Sequence, residues 1–333
     1  MRKVLVICFL ALMILTAGCS RKLVEESEEV IILKMGHFSS QDHPAHTAAL
    51  QFAVNVEERT NGMVKVDLYE DGKLGTPQEM LEQNIVGTID MSLPTQGSLD
   101  KYSKKFATVM LPFVFDDYEQ AHKVLDGEFL EWVKEDMDNQ GLVILSNWEY
   151  GFRNITNNIR PIETPEDVVG LRLRTPPEFQ LELAMESLGA DVTKIAYPEI
   201  YLSLQQNIVD GQENPLTVIY YDKIYEVQDY LAITKHVYNN MVHVISKDTW
   251  NKLSKEQQDI ISEESLNSSD LIRKEMQEQE EIIFKKLLEE GMIITYPNRE
   301  LFQGKMQYAY DAISAYAGKE NVEFFLDLVE KAR

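Results

Sequence analysis

The sequence predicts an α/β fold of about two domains. Short β-branched runs alternate with segments of helical apolar spacing, the grammar of helices layered on a largely parallel sheet. At 333 residues the chain has room for roughly two domains and a large core. With 44% hydrophobic and 26% charged residues its composition is ordinary for a soluble protein, which excludes disorder, collagen and low-complexity repeats. The 32 basic residues face 55 acidic ones, a formal charge of −23. A nucleic-acid partner is therefore not expected, because binding phosphate needs a basic footprint. Broad adsorption to an anionic membrane is opposed for the same reason, while a small basic pocket can still hold an anion.

The elements follow in order. Residues 30–35 are a β-branched run ending at Gly36 and read as a buried strand. After a loop over 36–44, residues 45–60 place Ala48, Ala49, Phe52, Ala53 and Val56 at helical spacing, and Asn61-Gly62 closes the helix. Residues 64–69 alternate as a strand before the Asp71-Gly72 turn. A helix over 77–86 and a buried strand over 88–93 complete this series. The pattern resumes with strands over 142–148 and 170–174 and a helix over 177–188. Residues 249–291 carry a recurrent apolar stripe with no Pro or Gly before Gly291. They read as one long helix crossing both domains or as two helices broken near Asn267-Ser268-Ser269. Helices over 302–316 and 322–331 end the chain.

The N-terminus reads as an address. Arg2 and Lys3 precede eleven consecutive apolar residues, 4–14, too few to span a bilayer as a helix and suited to a signal peptide. Leu15-Thr16-Ala17-Gly18-Cys19 resembles the bacterial lipobox, which implies cleavage before Cys19 and acylation of its thiol. The only other cysteine, Cys8, leaves with the signal, so no thiol remains for a disulfide, a metal cluster or nucleophilic catalysis. The charged segment 20–29 suits a solvated tether. The chain is thus expected to be exported and lipid-anchored outside the cytoplasm, with its folded body starting near residue 30.

Enzyme signatures are absent: there is no G-x-S-x-G, H-E-x-x-H, P-loop or G-x-G-x-x-G motif. His43 and His46 form an H-x-x-H that lacks further ligands for a metal. The carboxylates fall mostly on helical faces, and no pair stands out as a general acid and base. No cofactor and no metal are expected. Two arginine contexts are more informative. Arg153 follows the strand that ends in Trp148-Glu149-Tyr150, and Arg172 and Arg174 alternate with Leu171 and Leu173 on a strand released by Thr175-Pro176. An arginine at such a strand end can take a carboxylate through two parallel N–H···O bonds, or can equally serve a salt bridge on so acidic a protein. Asp210-Gly211-Gln212-Glu213-Asn214-Pro215 is either a polar loop or a place where an amide meets a ligand.

The runs GFRNITNNIRPIETPEDVVGLRLRTP, ADVTKIAYPEIYLSLQQNIVDGQENP and YEVQDYLAITKHVY closely resemble the solute receptors of TRAP transporters, of the C4-dicarboxylate receptor type. HFSSQDHP, DGKLGTPQEMLEQNIVGTIDM and LPFVFDDYEQA extend the resemblance over about residues 30–330. The resemblance implies two α/β lobes with mixed sheets around a ligand cleft, crossed by a long helix. It places 30–150 with 240–279 in one lobe and 151–239 with 280–333 in the other. It makes Arg174 the arginine that salt-bridges the substrate carboxylate, Arg153 its assistant, Asn214 a further contact and Tyr197 an aromatic wall. Arg172 receives no ligand role. From the other lobe the loop with His37, Phe38, Ser39 and His43, together with Glu79 and Thr95-Gln96, is expected to line the cleft. Trp148, Glu149 and Tyr150 are expected to read a sugar-sized body. Pro177 and Pro77 stand where sialic-acid receptors of the family carry an Asn and an acidic residue. Sialic acid is thus not expected; a sugar acid, a uronate or aldonate, comes first and a C4-dicarboxylate second, because His37 and Glu79 are not an obvious clamp for a second carboxylate. The implied mechanism is closure around the ligand and delivery to a membrane permease. The alternatives are a ligand-sensing lipoprotein and an enzyme acting on sugar acids.

Overall fold

A computed structural model of the chain describes residues 30–333. The leader, the tether and Cys19 lie outside the described residues. Ten strands among the described residues make one mixed sheet: β1 (Ile31–Gly36), β2 (Val64–Tyr69), β3 (Met91–Ser92), β4 (Leu142–Asn157), β5 (Arg172–Thr175), β6 (Asp191–Lys194), β7 (Gly211–Pro215), β8 (Tyr230–Ala232), β9 (Tyr238–Ser246) and β10 (Ile293–Thr295). Their order is β2-β1-β3-β9-β4-β7-β5-β6, with β8 joined to both β4 and β10. The helices are α1 (Pro44–Arg59), α2 (Pro77–Ile85), α3 (Phe106–Val109), α4 (Tyr118–Leu125), α5 (Glu128–Asn139), α6 (Phe179–Ser187), α7 (Ile200–Gln205), α8 (Leu216–Tyr221), α9 (Lys247–Trp250), α10 (Lys255–Glu289), α11 (Arg299–Gln303), α12 (Gln307–Ala317) and α13 (Lys319–Lys331).

The sheet is less parallel than the alternation of elements suggested. β1 pairs in parallel with β2 and β3, and β5 with β6 and β7. The pairs around β4 and β9 are all antiparallel. β4 joins the halves of the sheet: Leu142–Phe152 pairs with β9, and the stretch from Arg153 to Asn157 pairs with β7 and β8. Its register shifts between Ile144 and Ser146 and between Glu149 and Gly151, and Gly151 takes φ +114°, which side-chain-bearing residues rarely adopt. The strand runs nine residues past the predicted end at Trp148 because its polar side chains are buried with partners instead of facing water. Asn147 Nδ2 donates to the Leu125 carbonyl at 3.0 Å, and Glu149 meets His122 Nε2 at 2.6 Å. The segment Gly211–Pro215, left open between loop and ligand contact, is strand β7.

α10 is one helix of 35 residues, about 52 Å long at 1.5 Å per residue. A capping box of Ser254 and Gln257 starts it. The serines that suggested a break instead pack against β4: Ser265 Oγ lies 2.6 Å from Ser146 Oγ, and Ser269 donates to the Asn147 carbonyl. Small polar residues here let helix and strand approach closely while bonding each other. Ile261, Ile272 and Met276 of α10 join the apolar cluster under β1 and α1, whereas Ile283 and Leu287 join that of α7 and α8. The helix therefore spans both halves of the sheet. The predicted helix over 302–316 is divided by a turn at 304–306 into α11 and α12. α12 and α13 pack against residues 106–142 and also against Leu183 of α6.

Candidate functional site

A cavity of about 270 Å³ opens where the two halves of the sheet meet. Arg153, Arg174, Asn214, Tyr150, Tyr197, Glu178, Pro176 and Pro177 line it from β4, β5, β7 and their connections. Phe38, Thr76, Pro77, Gln78, Thr95 and Lys101 line it from the opposite lobe.

Arg174 is the penultimate residue of β5 and is buried, at 1% exposure. Nε donates to the Ile195 carbonyl at 2.8 Å, while Nη2 is buried without a partner among the described residues. Burial pulls its pKa down to about 10, with Glu213 opposing and Arg153 reinforcing the shift, so it stays a cation at neutral pH. Arg153 is equally buried but neutralised. Its Nε and Nη2 meet the Glu213 carboxylate at 2.5 and 2.8 Å, and Nη2 also donates to Asn214 Oδ1 at 3.0 Å. Burial works against the Arg153 charge, yet Glu213 outweighs it and the net shift is upward. Burial likewise opposes the Glu213 charge, and Arg153 and His236 hold its carboxyl below the usual range. The structure thus distinguishes two arginines that look alike in sequence: one has its acid, and the other lacks one. The third, Arg172, ion-pairs with Asp210 at 2.5 Å on the surface.

Local structure explains the convergence. Strict alternation on β4 would send Tyr150 and Arg153 to opposite faces. The register shift between Glu149 and Gly151 brings both to the cavity, with the guanidinium carbon 6.0 Å from the Tyr150 ring centre. Asn214 donates to Gln212 Oε1 at 2.5 Å and so stays fixed beside Arg153. Tyr197 is held by its hydroxyl on Asp222 and by its ring edge against Phe38 at 5.0 Å.

These observations meet those of known proteins. The model of the bacterial extracellular solute-binding proteins, family 7, matches residues 35–316. The chain belongs to that family. As a family 7 solute-binding protein it has a sialic acid-binding periplasmic protein of Vibrio cholerae as a relative, 34% identical over 288 residues, which are 86% of this chain and 89% of the relative. A sugar acid-binding protein of Advenella mimigardefordensis in complex with galactonate superposes with a TM-score of 0.88 at 31% identity, over 92% of this chain and 99% of the other. A TRAP periplasmic solute-binding protein of Polaromonas bound to D-erythronate does so with 0.85 at 32%, over 89% and 98%. The family is one of binding proteins with two lobes around a ligand cleft, not of enzymes.

In this family 7 member the other expected site residues lie elsewhere. Trp148 is core: it is fully buried, donates to Ser146 Oγ at 2.9 Å and packs on His243. The Glu79 carboxylate is spent on the Thr76 backbone N–H at 2.8 Å in the capping box of α2, although its neighbours Thr76, Pro77 and Gln78 reach the cavity. His37 is buried against His46, 3.1 Å between ring nitrogens. Gln96 is buried under the turn that carries Thr95, and neither end of its amide has a partner among the described residues. Glu213, Glu178 and Lys101 are functional candidates that sequence reasoning did not single out.

His43 proves to be the N-cap of α1, its Nδ1 accepting from Ala45 N at 3.1 Å. Burial, reinforced by His37, lowers its pKa to about 3. A histidine kept neutral in the fold but free to protonate at about pH 6.5 when unfolded lends stability above that pH, and the contribution fades as pH falls toward 3. His43→Asn keeps an acceptor for Ala45. It should remove about one proton from the uptake on unfolding between pH 6 and 4, flattening the stability slope by about 1.4 kcal/mol per pH unit. Urea unfolding at several pH values checks this; parallel slopes for the two proteins would reject it.

Proposed function

We propose that this chain is the extracytoplasmic receptor of a TRAP transporter for a hydroxylated organic acid, a uronate or aldonate, anchored to the membrane through Cys19. Arg174 is the observation that carries the reading. A buried guanidinium with a free N–H beside a cavity is costly unless an anion completes it, and a carboxylate is the planar acceptor that fits its fork. Arg153 and Asn214 back this anchor, and Tyr197 and Phe38 supply the apolar wall. The cavity, near the lower end of roughly 300–1,000 Å³ for small-molecule sites, suits a ligand of sugar-acid size. The galactonate and D-erythronate complexes of the structural neighbours support that class. Pro77 and Pro177 both line the cavity and offer no N–H, so recognition of hydroxyls falls to side chains such as Gln78, Thr95 and Asn214. One observation favours the C4-dicarboxylate alternative: Lys101, a second cation at the cavity, is exposed at its rim.

Binding is coupled to closure. The ligand touches groups of both lobes, so it favours the closed form by its differential affinity for that form. The closed receptor is what a permease would then take up. A thermal-shift screen of residues 20–333 against hexuronates, aldonates, C4-dicarboxylates, sialic acid and neutral sugars tests the reading. A ligand at about 100 times its Kd should add roughly 2.7 kcal/mol and raise the melting temperature by a few degrees. A shift confined to sugar acids supports the assignment, and a shift with neutral sugars alone defeats it.

A further inference from the structure

We propose that Glu178 is a specificity-determining residue: its free carboxylate oxygen accepts a hydrogen bond from a hydroxyl of the bound acid and repels a second carboxylate. The site would then select hydroxylated monocarboxylates over dicarboxylates. The inference rests on Arg174 anchoring the ligand carboxylate.

Four observations support it. Glu178 stands at the N-cap position of α6, yet its carboxylate makes no capping bond, and the residue lines the cavity. Thr95 Oγ1 donates to Oε1 at 2.5 Å, while Oε2 is buried without a partner among the described residues. The residue is 4% exposed, so water does not freely serve that oxygen. Finally, a β-carbon on Gly97 would collide with this carboxylate, so the lobe bearing Thr95 comes close only because residue 97 is glycine. An ionised carboxylate is acceptor-only and needs a donor. A ligand hydroxyl provides one, whereas a second ligand carboxylate brings only acceptors and a like charge in a poorly screened place. Arg153 relieves that conflict little, because Glu213 already compensates its charge through Nε and Nη2. Lys101, a further cation at the cavity, is exposed at the rim, which weakens its pull.

A contact between lobes through Thr95 would also place a carboxylate here, but it would weaken every ligand alike. Selectivity separates the two roles. Calorimetry would compare D-galactonate, D-glucuronate and succinate on residues 20–333 of the wild type, Glu178→Gln, Glu178→Asp and Arg174→Ala. Glu178→Gln keeps the volume and an acceptor for Thr95 while removing the charge. It should raise affinity for succinate relative to galactonate at least about tenfold, in line with the usual strength of a charged hydrogen bond. Glu178→Asp keeps the charge with a shorter reach, and should weaken galactonate without admitting succinate. An unchanged ratio in both variants overturns the inference, as does a wild type that prefers succinate or binds none of the three. If Arg174→Ala leaves the affinities intact, the anchor itself is wrong; if only the Glu178 arms fail, the anchor stands.

Discussion

Replacing Arg174 by alanine should cost about 2–5 kcal/mol of ligand binding, which is roughly thirtyfold to several thousandfold in Kd. The size of the effect comes from burial. The residue is 1% exposed and bonds the protein through Nε, so removing it would leave the ligand carboxylate with only the compensated Arg153 and the rim residue Lys101 as cations at the cavity. Arg153 is a poor substitute, since Glu213 compensates its charge and holds Nε and Nη2, with Asn214 sharing Nη2. Arg174→Lys should fall between wild type and alanine, because a point charge survives but the two-pronged geometry and the bond to Ile195 are lost. Calorimetry with whichever sugar acid the melting screen identifies gives the numbers. A loss below twofold for Arg174→Ala would mean that the carboxylate sits elsewhere.

Glu213→Ala should lower the stability of the ligand-free protein by about 3–5 kcal/mol, because it strands the Arg153 charge in the interior. Both side chains of the pair are at or below 2% exposure, and His236 Nε2 lies 3.3 Å from the same carboxylate. The double variant Arg153→Met with Glu213→Leu should recover most of that loss, since an apolar pair of similar volume avoids the desolvation of two ions. Urea unfolding measures both. A single variant within 1 kcal/mol of wild type, by the linear extrapolation, would show that water reaches the pair. The double variant is also expected to bind ligand less well than its stability suggests, as Asn214 loses the donor that orients it.

The sequence was informative where local pattern decides structure. β1, β2, α1 and α2 appear within about two residues of their predicted bounds, since periodicity and turn residues set them. β4 runs past its predicted end at Trp148 although it then carries Glu149, Arg153 and Asn154. Only the partners brought by α4 and β7 make it interior. Arg153, Arg174, Asn214 and Tyr197 do converge on the cavity, whereas Trp148, His37 and Glu79 do not line it. The fate of Glu79 was readable, for Thr76-Pro77-Gln78-Glu79 is a capping-box pattern, and a carboxylate so employed has little left for a ligand. Glu213 was not readable as the partner of Arg153. The two lie 60 residues apart and meet through an antiparallel register in which Ile155 opposes Glu213, and nothing local specifies that register.

The place of β9 in the sheet also determines when the protein can begin to exist as a fold. Residues 238–246 lie between β3 and β4 and, among the described residues, supply the strand that joins those two within the sheet. A chain emerging from its N-terminus therefore carries β1 to β4 through residues 158–237 without the neighbour that completes their pairing. Contacts of such sequence separation form slowly, because loop-closure entropy is met before any reward. The first half should remain unfolded and threadable until residue 246 has been made, and a fragment ending before β9 should be insoluble or a substrate for chaperones instead of an isolated lobe.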